Sequence, residues 1–199
     1  MNRVVRSCAG LFIRPRAALT SVLGEPHRIG FGLLGPVALA VVYFAGISAA
    51  LAMGVMHAPQ SPALRISDAD YYAYERFYIL PVGIAGTVMA AGVTRLLAGL
   101  WHGRGRFEDL FALLGFALVA VAVAMGLPDL VLAVLAGLGV PGLLGWMLSG
   151  PHIWLGTLWY AVLTVLAVKE VERLSWGKTI ALAAAGLVAN GLVQFVFIR

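Results

Sequence analysis

The 199-residue chain is 61% hydrophobic and 12% charged, with a mean hydropathy of +0.94 and a formal net charge of +5. A soluble domain of this length carries about 25% charged residues to keep its surface hydrated, so the composition excludes a water-soluble globular protein. The single cysteine, Cys8, excludes an internal disulfide, and no Cys/His spacing typical of a zinc site occurs.

Residues 1–29 are predicted to form a basic, amphipathic arm on the cytoplasmic side of a membrane. Between Val4 and Phe12, apolar residues recur at helical spacing, while arginine and serine take the other face. Such a helix lies in the interface with its basic side toward anionic headgroups. Pro15 is expected to open a second short helix that ends near Gly24. The predicted lipid- or partner-binding residues are Arg3, Arg6, Arg14 and Arg16, with Arg104 and Arg106 from a later turn.

Residues 30–199 are predicted to form one all-α transmembrane domain of five helices. About 20 apolar residues in a helix cross a hydrocarbon core of about 30 Å. A further apolar stretch at about 130–150 contains several glycines and Pro141, which disfavour one continuous helix. It is expected to be a broken element, interfacial or re-entrant, packed against protein. The five expected spans lie at about 30–56, 77–100, 110–127, 153–168 and 179–198.

The distribution of lysine and arginine predicts the orientation, because cytoplasmic segments collect basic residues. With five crossings and the N-terminus inside, five basic residues fall in the arm, three near residues 95–106 and three near residues 169–178. Only three fall outside. The expected topology is therefore N-in and C-out. The glycine- and alanine-rich composition suggests a bacterial protein, so we expect a multi-pass protein of the inner (plasma) membrane.

Residues 101–109, WHGRGRFED, form a charged island between two apolar runs. They are predicted to be the cytoplasmic turn between the second and third spans. Gly103 and Gly105 allow a tight turn, and Glu108 and Asp109 suit the first turn of the next helix. A phosphate-binding loop is not predicted, since no strand precedes the G-x-G and the Walker lysine is missing.

Few polar residues are expected at membrane depth. Asn190 and Gln194 lie four residues apart on one face of the last span, where such a pair more often holds helices together than conducts. No Asp, Glu or Lys is expected within the bilayer, so no proton relay is predicted.

The histidines are scattered and no nucleophile–base pair or carboxylate cluster is evident. We therefore expect no enzyme, no catalytic residue, no metal and no cofactor.

Three stretches resemble the Yip family of membrane proteins (Ypt-interacting proteins), especially its short bacterial members. They are LFIRPRAALTSVLGEP (residues 11–26), GRGRFEDLFALLGFALVA (103–120) and LAVKEVERLSWGKTIALA (166–183). The proline expected after G-x-A in the third span is missing after Ala117. The resemblance implies a five-span, non-enzymatic protein. Eukaryotic relatives bind Rab-type GTPases through a long cytosolic N-terminal region, and the 29 residues before the first span here do not support carrying that function over.

Two functions are open at this point. The first is a non-catalytic organiser whose basic cytoplasmic face binds the anionic headgroups of membrane lipids, another membrane protein or further copies of the chain. Nucleic acid is not expected as a partner. The alternative is a pore or a transporter of small solutes or lipids that uses the broken element at about 130–150. A membrane enzyme is a third possibility, for which the sequence offers no site.

Overall fold

The computed structural model describes residues 3–54, 66–67, 70–140, 142–143, 146 and 150–197, with the backbone alone for Arg3. Within this part of the chain every regular element is helical, which confirms the predicted all-α fold. A π-helical turn, Ala122–Gly126, joins the fifth and sixth α-helices. The α-helices, in chain order, are α1 Arg3–Ile13, α2 Pro15–Leu23, α3 Arg28–Ala52, α4 Tyr71–Gly99, α5 Phe107–Val121, α6 Leu127–Gly137, α7 Pro151–Glu172 and α8 Trp176–Phe197.

Five helical segments are long and apolar enough to cross a membrane, as predicted. They are α3, α4, the continuous unit of α5 and α6, α7 and α8, each 22 to 31 residues long. At 1.5 Å per residue, 22 residues extend about 33 Å, which matches the hydrocarbon core. We call the end of the bundle that carries α1, α2 and the connections at 100–106 and 173–175 the arm end. The opposite end is the far end.

The third span is longer than the sequence predicted. Its expected end was at about residue 127, but α6 continues the helix through Pro128 to Gly137. Proline usually disrupts a helix because it lacks an N–H group and clashes with the preceding turn. Here Pro128 lies in the first turn of α6, directly after the π-helical turn, whose wider backbone spacing accommodates it. A proline in an apolar run was therefore compatible with one long span.

The predicted break in the chain begins after Gly137. Gly139 and Gly142 have φ angles of 87° and 79°, a left-handed conformation that only glycine adopts without strain. Eight residues that were assigned to the broken element, 130–137, instead belong to the third span. Much of the remaining stretch up to residue 149 lies outside the described residues.

The third span is the centre of the bundle. In its most apolar window 72% of the residues are buried, against 22–44% in the other spans, and α5 packs against α3, α4 and α7. A Cβ atom on Gly35 would lie 1.9 Å from the carbonyl oxygen of Gly115, and one on Gly115 would lie 1.9 Å from that of Gly32. Small residues allow close helix approach within a bilayer, so the α3–α5 crossing requires these glycines.

The N-terminal arm is docked on the bundle. Leu11, Leu19 and Val22 are fully buried, where α1 packs against α5 and α2 packs against α5 and α7. Phe12 and Ile13 point outward, with 41% and 77% of their surface exposed. The arm therefore has two apolar surfaces, one anchored to the bundle and one left open beside the predicted membrane surface.

Candidate functional site at the arm end

Glu172, the last residue of α7, organises the arm end from a fully buried position. One oxygen, Oε2, accepts a hydrogen bond from the backbone N–H of Gly105 at 3.0 Å and lies 3.4 Å from Nη1 of Arg95. The same Arg95 nitrogen donates to the carbonyl oxygen of Gly103 at 3.4 Å. One carboxyl group and one guanidinium group therefore join α4, the connection after it and α7.

The carboxyl group of Glu172 leaves no room for a side chain at either glycine of the G-x-G in the charged island. A Cβ atom on Gly103 would lie 2.3 Å from Oε2 of Glu172, and one on Gly105 would lie 2.8 Å from Oε1 and 2.4 Å from a Val171 methyl carbon. Real Cβ atoms do not approach other atoms so closely. The two glycines were predicted to allow a tight turn, and the structure adds that they bring the backbone onto a buried acid.

Two adjoining cavities open beside this connection, and together we call them the arm-end cleft. Their volumes are about 730 Å³ and about 390 Å³. Arg28, Gly105 and Arg106 line both cavities. The larger is also lined by Pro26, Ile29, Arg95, Phe107 and Glu108. The smaller is also lined by Leu23, Arg104, Asp109, Glu170, Val171 and Arg173.

The six arginines predicted from the sequence lie at one end of the bundle but in separate places. Arg104 and Arg106 line the arm-end cleft. Arg6 and Arg14 line a depression of about 370 Å³ between α1 and α2. The guanidinium carbon of Arg16 lies 5.4 Å from the ring centroid of Trp176, at the start of α8. The side chain of Arg3 is outside the described residues.

The family model for the Yip1 domain matches residues 9–198. The match runs from α1 to the end of the last span and contains the whole arm-end cleft. The chain belongs to the Yip1 family. This confirms the resemblance noted in the sequence and places the protein in a membrane-protein family that is not known for catalysis. No curated protein and no solved structure matches the chain.

The arm end of this Yip1 domain contains functional candidates that the sequence analysis missed. Arg28 pairs with Asp109 through Nε and Oδ1 at 2.5 Å, and Arg95 pairs with Glu172. In the sequence analysis, Arg95 was counted only among the basic residues that predict the orientation. One signal was available: Arg95 and Glu172 have opposite charges and lie near the C-terminal ends of the second and fourth spans, which cross in the same direction, so they fall at similar depth.

At the far end of the Yip1 domain, two acidic side chains lie in helices that are candidate spans, where the sequence analysis expected none. Glu75 is 1% exposed and lies in α4, which begins at Tyr71 and not at residue 77 as predicted. Asp129 lies in the extended third span, and its Oδ1 is 2.8 Å from Nε2 of His152 in α7. Both errors arose from span boundaries that were predicted too short. Among the described residues, no group of three or more His, Cys, Asp or Glu side chains could hold a metal.

The predicted intramembrane polar pair lies between α4 and α8. A Cβ atom on Gly86 of α4 would lie 2.1 Å from Oδ1 of Asn190 and 3.2 Å from Nε2 of Gln194. Both amides therefore pack against a glycine that leaves room for them. Within the described part of the chain, Oδ1 of Asn190 has no hydrogen-bond partner. Whether the pair holds helices together or lines a path remains a prediction.

Proposed function

We propose that this Yip1 protein is a non-catalytic organiser of the bacterial inner membrane that binds anionic lipids and protein partners through its arm end. The observation that supports this most is the docked arm. Its buried leucines and valine fix α1 and α2 on the bundle, so exposed Phe12 and Ile13 lie at the same end of the bundle as Arg6, Arg14 and Arg16. Apolar residues beside arginines match the boundary between acyl chains and anionic headgroups.

Trp176 supports the same placement. Its indole ring lies 5.4 Å from the guanidinium carbon of Arg16 and 5.2 Å from Nζ of Lys169, measured to the ring centroid. Tryptophan concentrates at membrane interfaces, and a cation over its ring adds about 0.5–1 kcal/mol at exposed sites. The ring therefore links the arm to the connection between α7 and α8 at the level where headgroups are expected.

The alternative of a pore receives less support. The cavity beside Asp129, lined also by Tyr43, Gly46 and Gly126, has a volume of about 60 Å³. That is room for a few water molecules. A space of this size suits a local polar contact between helices better than a path for a solute, so we keep the organiser as the proposed function.

Lipid preference tests the proposal in the full-length protein. Spin-labelled phosphatidylglycerol and phosphatidylcholine would be compared in membranes that contain the wild-type protein or a variant with Arg3, Arg6, Arg14 and Arg16 replaced by glutamine. We expect the preference for phosphatidylglycerol at low salt to fall at least fivefold in the variant, because each of the four basic residues contributes up to about 1 kcal/mol near an anionic surface. Arg76→Gln, at the far end, is the control. An unchanged preference in the arm variant contradicts the proposal.

The proposal also requires the arm end to face the cytoplasm. Single cysteines would replace Arg104, Trp176 and Val140 in a Cys8→Ser background, and intact cells would be treated with an impermeant thiol reagent. We expect only the Val140 position, at the far end, to react before the cells are permeabilised. Reaction at Arg104 or Trp176 in intact cells would show that the basic face lies outside and would remove the basis for the proposal.

A further inference from the structure

The larger cavity of the arm-end cleft has the size and the wall of a ligand site. Pockets for small ligands range from about 300 to 1,000 Å³, and this one measures about 730 Å³. It is formed where the start of α3, the end of α4 and the start of α5 meet. The wall is therefore built from three different spans and from the connection that Glu172 holds in place.

The charge in this wall favours an anion. Three arginines line the cavity, Arg28, Arg95 and Arg106, against one acidic side chain, Glu108. Arg28 and Arg95 are held in position by Asp109 and Glu172, which also offset part of their charge. Arg106 has no ion pair with any residue in the described part of the chain, so its guanidinium group is available. Arginine binds phosphate through a planar set of N–H donors.

The backbone adds to this positive potential. Helix α5 begins at Phe107, directly beside the cavity, and no side chain caps its start. The first N–H groups of a helix have no partner within the helix and carry partial positive charge, which favours phosphate groups. Arg106 precedes this first turn, so the charge of its side chain and the dipole of the helix act on the same space.

The rim of the cavity indicates where the anion comes from. Ile29 is 51% exposed and Phe107 is 39% exposed, and both line the opening. Ile29 is the second residue of the first span and Phe107 is the first residue of the third. Apolar side chains at the ends of spans contact the upper part of acyl chains, whereas a site for a soluble phosphate has no need of them.

We propose that the arm-end cleft binds the phosphodiester headgroup of one anionic phospholipid. The phosphate lies among Arg28, Arg95, Arg106 and the first turn of α5, and the acyl chains leave past Ile29 and Phe107. Glu108 in the wall accepts a hydrogen bond from a headgroup hydroxyl, which favours a glycerol headgroup. The site lies within the basic face on which the proposed function rests, but it requires one defined pocket where the proposed function requires only diffuse attraction.

Retention of radiolabelled phosphatidylglycerol by the immobilised full-length protein in a neutral detergent tests the pocket. A salt concentration of about 0.5 M screens the diffuse attraction of exposed charges. We expect the wild-type protein to retain about one lipid per chain and Arg106→Gln to bind about tenfold more weakly, as expected for one lost charge-assisted hydrogen bond. Arg106→Lys, which keeps the charge, should recover part of this loss.

Arg6→Gln is the matched control, because it removes the same charge from the same end but outside the cleft. It should change retention at about 0.5 M salt by less than twofold. Equal retention by Arg106→Gln and wild type, with unchanged melting temperatures, would overturn the pocket. If the quadruple arm variant still lost its low-salt lipid preference, the proposed function would stand without the pocket.

A soluble competitor separates the two sources of phosphate. Glycerophosphoglycerol carries the same phosphodiester and glycerol groups without acyl chains. We expect it to displace phosphatidylglycerol only at concentrations at least a hundredfold above the lipid's Kd, since burial of apolar surface contributes about 25 cal/mol per Å² to the lipid alone. Displacement at concentrations equal to the lipid's Kd would assign the cleft to a soluble phosphate and overturn the lipid assignment.

Discussion

The arm end and the far end of the bundle each contain an acidic side chain that pairs with a second helix, but the partners differ, and only Glu172 is fully buried. Glu172 is held by an arginine and a backbone N–H group, whereas Asp129 is held by His152. An arginine keeps its charge throughout the physiological pH range, and a histidine carries one only when protonated. The arm end thus has a permanent electrostatic framework, which suits a surface that binds anions at any pH.

The two pairs also join different parts of the bundle. Glu172 fixes a connection, because its hydrogen bond goes to the backbone between α4 and α5. The Asp129–His152 pair joins the extension of the third span to the start of α7. The first pair shapes the cleft, and the second fastens two helices.

The largest loss of stability is expected from Gly115→Ala, because it disturbs the packing of α3 on α5, which is common to both ends. The new Cβ atom would lie 1.9 Å from the carbonyl oxygen of Gly32, and a helix backbone cannot yield as a side chain does. The α3–α5 crossing must open, at a cost of about 3 kcal/mol or more. We expect a large fall in melting temperature in detergent. Gly92→Ala, where no atom lies within 4 Å of the added carbon, is the control and should be neutral or slightly stabilising.

A similar melting temperature for the two alanine variants would mean that the spans are not in close contact at Gly115. In that case the two ends could not be treated as parts of one rigid bundle.

Glu172→Ala should disturb the arm end alone. The substitution leaves the Gly105 N–H group without its acceptor and Arg95 without its partner, and such losses cost about 2–4 kcal/mol. We expect a lower melting temperature and faster tryptic cleavage after Arg104 and Arg106. Glu170→Ala, which removes a half-buried neighbouring acid, is the control. Cleavage rates that match wild type would show that Glu172 does not hold the connection.

The Asp129–His152 pair should contribute less, because both side chains are partly exposed, at 19% and 15%. A double-mutant cycle with Asp129→Asn and His152→Ala should give a coupling energy of about 1 kcal/mol. The matched cycle pairs Asp129→Asn with Glu172→Gln. His152 and Glu172 are about 30 Å apart along α7 at 1.5 Å per residue, so these effects should add. Coupling across the two ends, or none within the pair, would contradict the separation of roles.

Some of these features could be predicted from the sequence, and others could not. The number of spans follows from hydropathy and length, which are local properties of the chain. The opening of α2 at Pro15 is equally local. The buried site is not: Gly105 and Glu172 are 67 residues apart, and Arg95 and Glu172 are 77 apart. Their meeting depends on which spans pack together, which composition and periodicity do not specify.

The smallest effect is expected from Asn190→Leu. Asn190 lies away from both ion pairs, in the packing between α4 and α8 that runs from one end of the bundle to the other. Asn190 is 9% exposed and packs with Gln194 against Gly86 of α4. If the amide serves packing, leucine would fit less well beside the glycine and lower stability by about 1 kcal/mol. The melting temperature and oligomer size in detergent would be compared with those of Leu192→Ala, a change at a lipid-facing position with 62% exposure. If the protein is an organiser, a cysteine at position 190 should also stay unreactive toward water-borne thiol reagents, because a packed amide position contacts no water.

Unchanged melting and assembly together with a reactive cysteine would instead place Asn190 on a hydrated path. The two ends would then be the two openings of a pore, and the arm-end cleft would become its entrance.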